Sequence, residues 1–225
     1  MEIPHLHSWV KSPQEAINLQ KELARQVRLQ PPAHARYRLV AGADVSTTLT
    51  ARSFWAAVLV LRLPDFELVE EAYAEQNADF PYIPGLLSFR EIPVLLKALH
   101  RLKTVPDLVL CDGQGLAHPR FFGLACHLGL WLNLPTIGCA KTKLVGNYVE
   151  PGPNLGDWSP LEYQDRIVGV ALRTRQRSRP IFVSPGHLMD LELALKLVQR
   201  CCGKARLPEP IRLAHLAVNR YRKES

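Results

Sequence analysis

The chain has 225 residues, enough for one sizeable hydrophobic core and short for two. With 47% hydrophobic and 22% charged residues it has the composition of a folded globular protein, which excludes a disordered chain, and no apolar run approaches the ~20 residues of a bilayer-crossing helix. A formal net charge of +7 favours an anionic partner, because clustered Lys and Arg attract phosphates, although many basic proteins bind no nucleic acid.

Met1 to Lys11 lacks the basic start and apolar centre of a secretory signal, so a cytosolic location is expected. Ser12-Pro13-Gln14-Glu15 has a capping Ser, Pro at the first helical position and Glu where a capping box wants it, and Ala16, Leu19, Leu23 and Val27 recur at helical spacing. These predict an amphipathic helix over 12–30, ended by Pro31-Pro32 and packing on the body of one domain over 1–225. Strands follow at Tyr37 to Asp44 and Phe54 to Leu63, and after the Pro64-Asp65 turn the run Leu68 to Ala74 returns as a third.

The period then changes. Ser88 to Leu102 reads as a helix with Ile92, Leu95, Leu96 and Leu99 on one face, followed by a buried strand at Leu108 to Asp112. A helix over Phe121 to Leu132, strands at Thr136 to Ala140, Ile167 to Leu172 and Ile181 to Ser184, and helices over Leu188 to Cys202 and Ile211 to Tyr221 complete the chain. A three-strand antiparallel meander followed by alternating helices and strands is the order of the ribonuclease H-like α/β fold, with a central mixed sheet flanked by helices. Five cysteines without a C-x-x-C pair point to reduced thiols and argue against a zinc site; Cys139 reads as a core thiol rather than a nucleophile.

Asp44 and Asp112 each end an apolar strand beside small residues, where ligand sites of open α/β sheets gather. If those strands are neighbours, two carboxylates meet in one crevice and a divalent cation relieves their repulsion; otherwise each Asp simply caps a loop. Glu91 stands three residues after Ser88, and a capping box explains both. Pro81-Tyr82-Ile83-Pro84-Gly85 is a rigid segment that either wedges between stacked bases or packs as a turn. Asp112-Gly113-Gln114-Gly115 through His118-Pro119-Arg120 gathers glycines and polar groups in one loop, and Lys141 follows a strand where it could meet a phosphate or lie solvated. Arg173, Arg175, Arg177 and Arg179 alternate and would share a face if extended, either tracking a phosphate backbone or forming a solvated hairpin tip.

Taken together, Val40-Ala41-Gly42-Ala43-Asp44-Val45-Ser46, Pro81-Tyr82-Ile83-Pro84-Gly85, Ser88-Phe89-Arg90-Glu91, the stretch Asp112 to Arg120, Pro135-Thr136-Ile137-Gly138 with Ala140-Lys141, and Val183-Ser184-Pro185-Gly186-His187 resemble the endonuclease V family in content and order. The resemblance runs over about 14–222. It implies a Mg²⁺-dependent endonuclease of DNA repair (Mn²⁺ substituting) that acts on DNA containing deoxyinosine. Hydrolysis at the second phosphodiester 3′ to the lesion would leave 5′-phosphate and 3′-hydroxyl ends.

By the same resemblance Asp44 and Asp112 are the principal metal ligands, Glu91 is a further acidic member that displaces its capping role, Lys141 offsets phosphate charge, and His215 positions water or makes an outer-sphere contact. Pro81, Tyr82, Ile83 and Pro84 would form the strand-separating wedge. Gly85, Leu87, Gly113, Gly138 and Leu144 would form the base pocket through their backbone, supported by His118 and Arg120. Ile211, Cys111 and Cys126 depart from the usual residues at positions that touch no expected ligand. Three other readings stay open: RNA with inosine as substrate, an inosine-binding module without turnover, and a general structure-specific nuclease for flaps or junctions, which would need less of a base pocket. A monomer, without membrane contact, is the default expectation.

Overall fold

The structure, a computed structural model, describes residues 1–48, 53–77 and 80–225. Eight strands form one mixed sheet in the order β3-β2-β1-β4-β5-β8-β7-β6. Strands β1 (Leu39–Thr47), β2 (Ser53–Arg62) and β3 (Glu67–Asn77) make the expected antiparallel meander, and β4 (Leu108–Cys111) and β5 (Thr136–Ala140) add in parallel to β1. Beyond β5 the direction reverses: β8 (Ile181–Pro185), β7 (Arg166–Leu172) and β6 (Trp158–Tyr163) pair antiparallel. Near-continuous apolar runs in β2, β4 and β5 match strands covered on both faces.

Helices α2 (Ser88–Arg101) and α3 (Leu124–Leu132) cover one face, burying Ile92, Leu95, Leu99 and Leu128 against Ala41, Ala43, Val58 and Val109. On the other face α4 (Leu191–Arg200) packs Leu197 and Val198 onto Ile137, Val170 and Val183, and α5 (Glu209–Glu224) packs Ala214, Ala217 and Val218 onto Trp55, Ala57 and Leu59. Among the described residues no helix is long and apolar enough to cross a membrane. All five cysteines are free.

Three departures from the sequence reading have local causes. Helix α1 (Pro13–Ala24) starts with the expected capping box but stops well before Pro31, because the Arg28 backbone pairs with the 187–188 loop instead: its N–H donates to His187 Nδ1 at 3.2 Å and its carbonyl accepts from Leu188 N–H at 2.6 Å. Strand β6 went unseen because Pro160 interrupts its pattern, yet it forms the sheet edge, where a missing N–H costs no ladder bond. Ser88 does not cap α2; its hydroxyl bonds to His127 Nδ1 at 3.1 Å, leaving Glu91 free of any capping role.

Candidate active site

Parallel pairing of β1 and β4 decides the geometry. Their register ends at Ala43↔Cys111, so the next residues, Asp44 and Asp112, stand side by side, tied by the Asp112 N–H to the Ala43 carbonyl at 3.2 Å. Asp112 follows the end of β4, whereas β1 runs past the expected end at Asp44 to Thr47 and keeps Asp44 in the sheet, paired with Ala57 of β2. The third member comes from α5. Gly42 lets that helix approach: a Cβ there would lie 1.9 Å from the Pro210 carbonyl oxygen, closer than any real contact. One turn further on, His215 Nδ1 donates to Asp44 Oδ2 at 2.7 Å. The ring is held by Asn219, whose amide reaches His215 Nε2 at 3.2 Å and donates to its carbonyl at 2.8 Å, and Asn219 in turn accepts from Ser46 Oγ at 3.0 Å.

Ligand atoms of Asp44, Asp112 and His215 lie within 4.8 Å of one another. Burial first, and then the Asp112 charge, hold the Asp44 carboxyl above its ordinary pKa. Half-buried Glu91, at the start of α2, stands outside this trio but close enough to feel both charges; loss of hydration, then Asp44 and Asp112, push it up to about 8. Among the described residues its carboxylate has no hydrogen-bond partner. Lys141, just after β5, bonds to Asp112 Oδ2 at 2.5 Å. Two converging carboxylates, with a third near enough to feel their charge and one lysine, are short of positive charge, and the oxygen donors of Asp44 and Asp112 fit a hard divalent cation.

Beside the cluster opens a cleft of about 370 Å³, lined by Tyr82, Gly85, Leu87, Gly113, Lys141 and Leu144 among others. Tyr82 is 68% exposed at its rim, Pro81 and Pro84 are exposed beside it, and Ile83 is partly buried. Gly85 has φ +80°, and its carbonyl accepts from three donors: Gln20 Nε2 at 3.0 Å, His118 Nε2 at 2.9 Å and Arg120 Nη2 at 2.7 Å. His118 is buried, and that burial, with Arg120 nearby, lowers its pKa to about 4; as a neutral ring donating through Nε2, it takes the Arg120 N–H on Nδ1. Gly138 does not reach the cleft but lies one layer behind, against the backbone of 113–115.

Several contributors escaped the sequence reading. Gln20 joins α1 to the site and accepts from Arg120 Nε at 2.5 Å; a buried Gln on an apolar helix face was the available signal. Asn219 had none beyond its position one turn after His215. The alternating arginines do not share a face. Arg173 is buried and spends its donors on the Gly152 and Pro151 carbonyls and on Glu150, while Arg175, Arg177 and Arg179 sit in a turn.

A sequence profile described as Endonuclease V matches residues 21–216. The endonuclease V of Dehalococcoides mccartyi is 51% identical over 217 residues, 96% of this chain and 97% of that protein. The crystal structure of endonuclease V from Streptomyces avermitilis superposes with a TM-score of 0.91 at 42% identity, covering 96% of each chain. Endonuclease V of Ciona intestinalis, solved in complex with a 24mer DNA containing an inosine followed by a ribo-adenosine, superposes with a TM-score of 0.83 at 28% identity, covering 94% of this chain and 98% of that one.

Proposed function

The chain belongs to the endonuclease V family and is an endonuclease, and from that premise we propose that it nicks DNA near deoxyinosine, at the second phosphodiester 3′ to the lesion, with Mg²⁺ as cofactor and Mn²⁺ as a substitute. The observation that carries the chemistry is the meeting of Asp44, Asp112 and His215 at one point beside the Tyr82 cleft. The inosine-containing DNA of the Ciona complex supports the choice of substrate. Its proposed setting is DNA repair in the cytoplasm, as a single domain over 1–225 acting as a monomer.

Asp44 and Asp112 would hold the cation, with Glu91 adjoining. When bound, it would polarise the scissile phosphate and lower the pKa of water for in-line attack. Lys141, held at Asp112 and lining the cleft, would offset the charge that builds on the phosphate. His215 donates a hydrogen bond from Nδ1–H to Asp44 and orients water from the α5 side. Tyr82, with Pro81, Ile83 and Pro84, fills the gap left by the extruded base, whose unpairing costs less at an inosine mismatch. Backbone N–H groups at Gly85, Leu87 and Leu144 donate to the carbonyl that hypoxanthine carries where adenine has an amine, so adenine is rejected; Gly113, whose own N–H is held by the Cys111 carbonyl at 2.9 Å, lines the pocket beside them. Gly138 acts by keeping the 113–115 backbone in place, and His118 and Arg120 by fixing Gly85.

End-labelled DNA with one deoxyinosine, incubated with Mg²⁺ or EDTA beside an Asp44→Ala variant, tests the reading. A Mg²⁺-dependent nick one nucleotide beyond the base 3′ to inosine, absent in the variant, is expected. The ribo-adenosine in the Ciona complex favours inosine-containing RNA as a second substrate, so matched RNA belongs in the same assay. Stronger cutting of RNA would change the substrate and keep the site. Binding without cutting of either would overturn the enzyme reading and leave an inosine-binding module.

A further inference from the structure

Behind the wedge lies a second depression, of about 440 Å³, that the chemistry above leaves unused. Its size falls within the ~300–1,000 Å³ of small-ligand sites. Trp9, Lys11, Gln76, Asn77, Phe80 and Arg90 are among its lining. Trp9, from the N-terminal arm, stacks on Trp131 with centroids 5.5 Å apart and planes 17° apart, yet stays 38% exposed, so its indole is held rigidly with part of it open. Phe80 stacks on Phe89 at 5.5 Å beneath it. Gln76 and Asn77, at the end of β3, bring amides that both donate and accept. The charged members of the described lining are Lys11, which is exposed, and Arg90, which is buried over the Phe54 ring. An aromatic platform with amide edges and an exposed lysine is chemistry that receives a nucleobase on a phosphate backbone.

Its position says which base. Phe80 lines this groove, while Tyr82, two residues on, lines the cleft beside Asp112. The Arg90 guanidinium, in the groove wall, lies 4.9 Å from the Phe54 ring centroid and 5.8 Å from that of Tyr82. Groove and cleft thus share one wall, with the exposed Tyr82 ring at its top. We propose that this groove is a second nucleobase site, receiving the unpaired base of the strand opposite the inosine when Tyr82 parts the two strands. The proposal rests on the wedge reading of Tyr82 above. A base orphaned by lesion extrusion loses its stacking; Trp9 restores it and offsets part of the cost of strand separation. The benefit exists only for duplex substrates.

The test compares nicking of an inosine duplex and of the same inosine strand alone, with 2-aminopurine opposite the inosine to report stacking. Trp9→Ala is expected to raise KM on the duplex about tenfold, the size of a lost base–aromatic stack, to relieve most of the 2-aminopurine quenching, and to leave KM on the single strand within about twofold. Lys11→Gln, an exposed change without a core role, raises duplex KM more weakly in the same pattern. Unchanged duplex KM and fluorescence in both variants would overturn the proposal, as would an equal rise on duplex and single strand, which marks a packing role for Trp9. Failure of the wild-type protein to cut either the inosine duplex or the inosine single strand would instead overturn the function from which the groove is read.

Discussion

Asp44 and Asp112 compete for what little solvation the crevice allows, and the same competition makes their chemistry testable one residue at a time. Asp44→Asn keeps the shape and removes a cation ligand. Nicking of inosine DNA in saturating Mg²⁺ is expected to fall by ~10³-fold or more, since several kcal/mol of transition-state charge stabilisation goes with the cation. Wild-type rates in that variant would remove Asp44 from the metal site. Glu91 offers a test of its own. Its pKa rises from 4.5 unfolded to about 8 folded, so the folded state binds the extra proton between those values. The metal-free protein should therefore lose stability as pH climbs from about 4.5 to 8 through this group, the reverse of an ordinary ion-paired carboxylate. In EDTA, Glu91→Gln is expected to melt higher than wild type at pH 8 and no higher at pH 5; equal melting at both would show that Glu91 is well solvated. Asp112 was legible in the sequence as a strand end; Asp44 was legible as an acid on an apolar strand, although that strand runs on to Thr47. Glu91 was not, because Ser88 three residues earlier offers a complete local explanation that only the tertiary bond to His127 removes.

The loop before α2 tests the site at the scale of an element. Gly85 occupies φ +80° with its carbonyl held by three donors, and a Cβ there would meet Arg120 Nη2 at 2.9 Å. Gly85→Ala combines a left-handed cost of about 1–2 kcal/mol with displacement of the Arg120 clamp. Melting is expected to drop by a few degrees and KM for inosine DNA to rise, whether single- or double-stranded. Tyr82→Ala should act oppositely. A 68% exposed ring contributes little to folding, so melting stays nearly constant while duplex nicking falls and single-strand nicking persists. A Tyr82 variant that lost both substrates alike would refute the wedge. Sequence patterning located most elements, the outer helices such as α2 by their amphipathic faces and the central strands β2, β4 and β5 by their continuous apolar runs. It failed where another segment supplied the partner: Arg28 draws the chain out of α1 to meet the 187–188 loop, and edge strand β6 tolerates a proline that a central strand would not.

Across the whole molecule, histidines buried without a countercharge link folding to pH. His118 and His187 are both lowered to about 4, chiefly by burial, and His127 is driven well below its ordinary value by burial and by His7. The hydrogen bonds agree with neutral rings. The Nδ1 of His7 donates to the Ser8 carbonyl, so its Nε2 accepts from His127 Nε2–H at 2.7 Å, and His127 Nδ1 accepts the Ser88 hydroxyl proton. For a basic group lowered on folding, the unfolded chain binds the extra proton between about 4 and 6.5. Stability is then complete above about 6.5 and is lost as pH falls toward 4. A shift of this size amounts to roughly 3 kcal/mol for His118 or His187, and 1 kcal/mol moves the melting temperature of such a chain by about 2–4 °C. Circular-dichroism melts should therefore fall by several degrees between pH 7 and pH 4.5, the histidines together outweighing the opposite trend from Glu91. His187→Asn, far from the cleft, should melt lower at pH 7 and flatten that acid slope; an unchanged slope would mean that these rings reach solvent and titrate normally.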